Sequence, residues 1–206
     1  PAPASPSRAP VLLKDIDAAW RELARGWDQA LPASGEPCSL LTERELRCFT
    51  GSTSLAMIRQ LDRPGIVTLD TSTGQPSHAL LVRLTRDSAT LRAAGTEQTV
   101  TLGALAARWN GDFATLWRSP KAYTGTEEDL RRGSETLEWV ARQLARGRPR
   151  EADEIARSPP TLRSRRCLRR FQPAQALPVS GMLTPLTYMQ LNRVAGVDEP
   201  RLQTPH

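Results

Sequence analysis

Gly65-Ile66-Val67-Thr68-Leu69, then Asp70-Thr71-Ser72-Thr73-Gly74-Gln75-Pro76, then His78-Ala79-Leu80-Leu81-Val82-Arg83-Leu84 is the stretch that decides the fold. Two short β-rich runs flank a segment dense in Thr, Ser, Gly and Pro, which reads as strand, turn, strand. Downstream, Thr90–Ala93 and Thr99–Leu102 make two more strands, parted by Ala94-Gly95-Thr96. Leu102–Trp109 reads as a short helix, and Phe113-Ala114-Thr115-Leu116-Trp117 as a closing strand. Upstream the period changes. Ile16, Trp20, Leu23 and Trp27 recur at three- and four-residue steps within Leu12–Leu31, one apolar stripe on a helix that Pro32 and Gly35 stop. A second helix is expected over Ser39–Arg47 with Leu40, Leu41 and Leu46 inward, and a third over Ser54–Leu61, capped by Ser54 and ended by Pro64. Helices followed by a small antiparallel meander define an α+β domain of about 120 residues.

Beyond it, Ser119–Thr126 carries a proline and Gly/Ser breakers and reads as a linker. Helical patterning returns over Glu127–Arg146, with Leu137, Val140 and Leu144 in phase, then over Thr161–Phe171 and Thr184–Ala195. An Arg/Pro-rich loop separates the first two, so a smaller helical module is expected. The opening PAPASPSRAP stays extended and reads as a tether. No internal repeat is visible.

The chain has 206 residues, 39% hydrophobic and 24% charged, which fits a globular protein and excludes wholesale disorder. No apolar run reaches the length of a membrane span, and no basic-then-apolar leader opens the sequence. The net charge of +6 is unevenly placed. Residues 1–130 hold 14 Lys+Arg against 15 Asp+Glu, and residues 131–206 hold 14 against 7, so the basic excess belongs to the last third. Arg146, Arg148, Arg150, Arg157, Arg163, Arg165, Arg166, Arg169 and Arg170 crowd one stretch there. They read either as a solvated helix face with a basic loop or as an attractor for anionic polymer. Nucleic acid is not the expected partner, because few aromatics interleave to stack bases and no reading motif is present.

Two stretches resemble known families. Cys48-Phe49-Thr50-Gly51-Ser52-Thr53-Ser54-Leu55, Leu61-Asp62-Arg63-Pro64-Gly65-Ile66-Val67-Thr68-Leu69 and Trp109-Asn110-Gly111-Asp112-Phe113-Ala114-Thr115-Leu116-Trp117-Arg118-Ser119-Pro120 fall in order. They are similar to the C39-peptidase-like periplasmic domain of the general secretion pathway protein A family (ExeA type). Leu130-Arg131-Arg132-Gly133-Ser134, Val140, Leu144, Phe171-Gln172 and Pro178-Val179-Ser180-Gly181-Met182-Leu183-Thr184-Pro185 resemble the three-helix peptidoglycan-binding module. Here Ser180 stands for the usual Asp, Leu183 and Thr184 replace the Gly region, and Glu135–Leu137 lacks the second Gly.

The resemblance implies a tether over 1–11, a papain-like or C39-like domain with a small antiparallel sheet over 12–120, and a linker over 121–129. A peptidoglycan-binding-like helical domain would fill 130–197 and a tail 198–206. A C39-type peptidase needs a thiolate at a helix N-terminus, a His base and an acid or amide to orient the His. His78 opens the strand where the family's His lies. The nucleophile is expected around Ile16–Trp20 and the orienting group near Arg92–Ala94, and neither stretch supplies one. His78 is thus a relic, and the chain is expected to be non-catalytic. A divergent cysteine peptidase or wall hydrolase using His78 is the alternative, and a pure protein-docking module that has lost glycan binding is another.

The family usually carries a cysteine pair where Cys38 and Cys48 stand, which implies a disulfide in an oxidising periplasm; two buried thiols are the alternative. Cys167, beside Leu168 and Phe171, reads as a core thiol. The cysteines and the two histidines lack zinc-ligand clustering, so no metal and no cofactor are expected. Ligand candidates are Arg163, Arg166 and Arg170, with Ser180, Gly181 and Thr184 at a turn where wall carboxylates and amides could meet backbone N–H groups. Implied partners are peptidoglycan and an inner-membrane B-type secretion protein, with self-association left open. The implied location is periplasmic, anchored through a membrane segment preceding Pro1.

Overall fold

The structure, a computed structural model, describes residues 12–126, 129, 134–147 and 160–202, with the side chains of 145, 147 and 160–164 outside that description. The tether at 1–11, residues 130–133 of the helical motif, and Arg148, Arg150 and Arg157 lie outside the described residues.

Elements run in the order α1 (Ile16–Arg25), α2 (Pro37–Thr42), β1 (Leu46–Ser52), α3 (Leu55–Leu61), β2 (Gly65–Leu69), β3 (Ser77–Leu84), β4 (Ser88–Ala93), β5 (Thr96–Thr101), α4 (Leu102–Ala106), β6 (Trp109–Arg118), α5 (Glu135–Gly147), α6 (Pro160–Ala174) and α7 (Pro185–Val194). The strands form one six-stranded sheet in the order β1-β6-β2-β3-β4-β5, with every neighbouring pair antiparallel. The expected α+β class is what the chain adopts.

Alternation along the strands splits the core between two faces. Ile66, Leu80, Val82, Ala114 and Leu116 face α1 and α2, packing on Trp20, Leu23, Trp27 and Leu41. Val67, Leu69, Ala79, Leu81, Phe113 and Trp117 face the other way, toward α3, α4 and the later helices. The meander β2 to β5 is as the sequence indicates. The closing strand is not at an edge: β6 lies between β1 and β2, which is why its apolar residues run almost without interruption. Gly65 is required where β2 meets β6, because a Cβ there would lie 2.5 Å from Ala114 O.

Two helix expectations are corrected. The helix expected over Ser39–Arg47 ends at Thr42; Glu45 takes a left-handed φ of 59°, and Leu46 opens β1 opposite Arg118. Leu46 is still inward, but as a strand residue. The first helix spans Ile16–Arg25 rather than Leu12–Leu31, because the Asp15 side chain caps its start and the chain turns at Gly26, with a left-handed Asp28 beyond. Pro32 and Gly35 therefore do not end it. Ser54 caps α3 as expected, its side chain accepting from Met57 N, although the stop is Asp62 in a left-handed conformation rather than Pro64.

The helical part packs directly on the sheet. Trp117 of β6 stacks on Tyr188 of α7 at 5.1 Å between ring centroids, and Tyr123 meets both rings edge-on. Val140, Leu144, Leu168, Phe171, Tyr188 and Met189 share one continuous core with the sheet face that carries Trp117.

Candidate functional site

His78 is 7% exposed and lies on the α1 face of β3, in phase with Leu80 and Val82. Its Nδ1 is 3.2 Å from Thr68 Oγ1 on β2. Leu13 forms a two-bond bridge to the His78 backbone, at 2.9 and 2.7 Å, and Lys14 Nζ donates to Ser77 Oγ at 3.0 Å. The segment leading into α1 therefore lies against the histidine. Burial pushes the imidazole below its ordinary value, with the Asp15 carboxylate opposing the shift. Next to Arg92–Ala94, where an orienting group was expected, the β4–β5 turn offers Ala94 N and Gly95 N to the Glu22 carboxylate of α1, at 3.0 and 3.4 Å.

The chain has three cysteines. Cys38 and Cys48 form a disulfide with Cα atoms 5.7 Å apart, tying α2 to β1 as the family resemblance implied. Cys167 is a buried cysteine of α6, outside the disulfide, in the core on the sheet face opposite His78.

The wall-binding candidates in the helical part come together only in part. Gln172 of α6, 1% exposed, is the centre of the turn before α7. Its Oε1 accepts from Ser180 N and Gly181 N at 2.9 and 2.8 Å, and its Nε2 donates to Ser180 Oγ and Met182 O at 3.0 and 2.9 Å. Thr184 caps α7, its Oγ1 accepting from Thr187 N at 3.3 Å. The backbone donors of Ser180 and Gly181 are thus engaged within the protein. Gly181 has φ +70°, and a Cβ there would lie 3.0 Å from Arg169 Nε, so glycine lets the turn sit on that arginine. Arg166 and Arg170 are exposed one turn apart, on one face of α6. The Arg163 side chain lies outside the described residues.

Sequence reasoning missed Arg63. Inside the L-D-R-P run it is 0% exposed, and its guanidinium donates to Leu116 O of β6 at 2.8 Å, Met189 O of α7 at 3.4 Å and Glu199 Oε2 at 2.8 Å. Glu199 Oε1 also accepts from Arg118 N and Asn192 Nδ2, both at 2.9 Å. Gln190 Nε2 reaches Gln60 O at 2.9 Å, and Leu202 N reaches Asp62 O at 3.4 Å. Residues 198–202, read as the start of a tail, hold the sheet and the helices together. The only hint in the sequence was an arginine between Asp62 and Pro64, which does not by itself indicate burial.

No family model matches the chain. General secretion pathway protein A of Aeromonas hydrophila is 28% identical over 190 residues, covering 91% of this chain and 34% of that protein. The chain therefore spans about a third of that relative's length. A periplasmic domain of the EpsAB fusion protein of the Vibrio vulnificus type II secretion system shares the fold, with a TM-score of 0.54 at 20% identity over 92% of this chain and 82% of that one. The N-terminal peptidase C39-like domain of a toxin secretion ATP-binding protein from Vibrio parahaemolyticus aligns over 52% of this chain and 94% of its own at 15% identity. Its TM-score is 0.36. The resemblance to general secretion pathway protein A is borne out.

Proposed function

We propose that the chain is a non-catalytic periplasmic region of a type II secretion accessory protein, binding peptidoglycan and a B-type inner-membrane partner. In that role it would assist assembly or insertion of the secretin through the cell wall. The likeness to general secretion pathway protein A across 91% of the chain carries this reading. In this reading the region is held at the inner membrane through a membrane segment preceding Pro1. Among the described residues no helix is long and apolar enough to cross a membrane.

The cysteines support a binding role over cysteine catalysis, since Cys38 and Cys48 are spent in a disulfide and Cys167, on the far face of the sheet, cannot reach His78. With Ser180 N and Gly181 N held by Gln172, the wall contact would run through the exposed face of α6 that bears Arg166 and Arg170. That contact is electrostatic and weakens with salt. Pelleting with purified sacculi tests it: co-sedimentation at low salt should fall in Arg166→Glu/Arg170→Glu. No sedimentation at low salt, with binding to the B-type partner retained, would favour the docking module instead, a reading that the engaged turn donors also support. A hydrolysis product from sacculi that disappears in His78→Ala would overturn the non-catalytic reading.

A further inference from the structure

β5 closes one end of the sheet, and its outer flank is regular. It pairs with β4 over six residue pairs with no register shift, whereas the β3–β4 and β2–β6 pairs both carry one. Ala94 (φ 49°) and Gly95 (φ 73°) make a two-residue turn, so Thr96, Gln98 and Val100 direct their N–H and C=O groups to β4. Glu97 and Thr99 direct theirs outward, as does the N–H of Thr101, whose C=O begins α4. Among the described residues, no strand lies beyond β5 and no hydrogen bond reaches these groups.

Sheet edges are usually blunted by lysine, proline or a bulge. Thr96-Glu97-Gln98-Thr99-Val100-Thr101 has none of these. Its one charge, Glu97, is held by Arg92 at 2.5 Å on the inner neighbour. Gln98 Oε1 is buried without a hydrogen-bond partner, a further unmet polar atom on the strand. β1, at the other end, instead carries the disulfide to α2.

We propose that β5 receives an extended segment of the B-type partner, which adds as a seventh strand through main-chain hydrogen bonds to Glu97, Thr99 and Thr101. This rests on the partner named in the proposed function. The neighbouring fold belongs to a protein described as an EpsAB fusion, in which a B-type part would be continuous with this fold. Side chains rather than main chain would set the choice of segment: β-branched residues opposite Thr99, and no acid opposite Glu97.

Amide exchange on this chain, with and without the purified periplasmic domain of the B-type partner, tests the inference. The expected result is slower exchange at Glu97, Thr99 and Thr101 in the complex. Thr99→Pro removes an outward N–H and leaves the β4 ladder intact, so affinity should fall roughly tenfold or more. Thr99→Val loses the same Thr90–Thr99 hydroxyl contact of 3.0 Å but keeps the N–H, and should bind as wild type. If Thr99→Pro fails to fold, the exchange pattern of the wild-type complex decides. A complex that leaves these three amides unprotected, or protects β1 instead, overturns the inference and spares the partner reading. Failure to form any complex overturns both. Protection that rises with the concentration of this chain alone would make the occupant a second copy and overturn the choice of partner.

Discussion

His78 shows how one buried residue couples folding to pH. Burial holds its folded pKa below the ordinary 6.5, so the unfolded chain takes up a proton that the folded chain resists. This histidine costs nothing above 6.5. As the pH falls through 6.5 toward the lower folded value, stability is lost, and below that value the loss is complete. Denaturant midpoints measured from about pH 8 down to about pH 5 should therefore decline more steeply for wild type than for His78→Gln. Equal slopes would mean that the imidazole is protonated as readily in the fold as outside it. The position of His78 at a strand start was legible in the sequence. The Leu13 bridge over it was not, because the bridge is a long-range backbone pairing with no local signature.

At the scale of the element, the run from Cys38 to Cys48 is where local reasoning went furthest astray. Leu40, Leu41 and Leu46 keep helical phase, so the stretch looked like one helix. Pairing of Leu46–Ser52 with β6 overrides that phase, and a left-handed Glu45 makes the corner. The disulfide fastens the helix to the strand across this corner. Closing a loop with a sequence separation of 10 stabilises by about 2–3 kcal/mol in the chain-entropy model. The Cys38→Ser/Cys48→Ser variant should lose that much in urea denaturation, with the meander β2 to β5 still formed at low temperature. A change within experimental error would show that packing of Leu41 alone holds the corner. Gln172 illustrates the same limit in the helical part: the Phe171-Gln172 pair was legible as a motif, but its part in closing the turn before α7 was not.

For the molecule as a whole, the decisive group is the buried pair of Arg63 and Glu199, 2.8 Å apart and 136 positions apart in sequence. Desolvation pushes the Arg63 guanidinium below its ordinary value, and Glu199 opposes that shift. Such a pair adds little over an apolar contact of the same shape, yet removing one partner strands the other charge, typically at about 3–5 kcal/mol. Because the pair joins sheet to helices, calorimetry of the wild type should give one cooperative transition. Arg63→Ala should lower its midpoint and leave Glu199 unpaired. A wild-type trace with two transitions, only one of them moved by Arg63→Ala, would refute this coupling.

The sequence by itself determined the class of the fold, the run of strands from Gly65 to Thr101, the cap at Ser54, the basic excess of the last third and the family likeness. All of these rest on local period, turn chemistry, composition or motif order, which neighbours along the chain suffice to specify. Only the tertiary structure decided that β6 enters between β1 and β2, that residues 198–202 lock the helices to the sheet through Arg63, and that Gln172 engages the donors of the Ser180–Gly181 turn. Each of those joins groups far apart in sequence or buries a polar group whose partner must be found in space. A buried charge or amide is stable only beside that partner, and no local pattern announces where it will be.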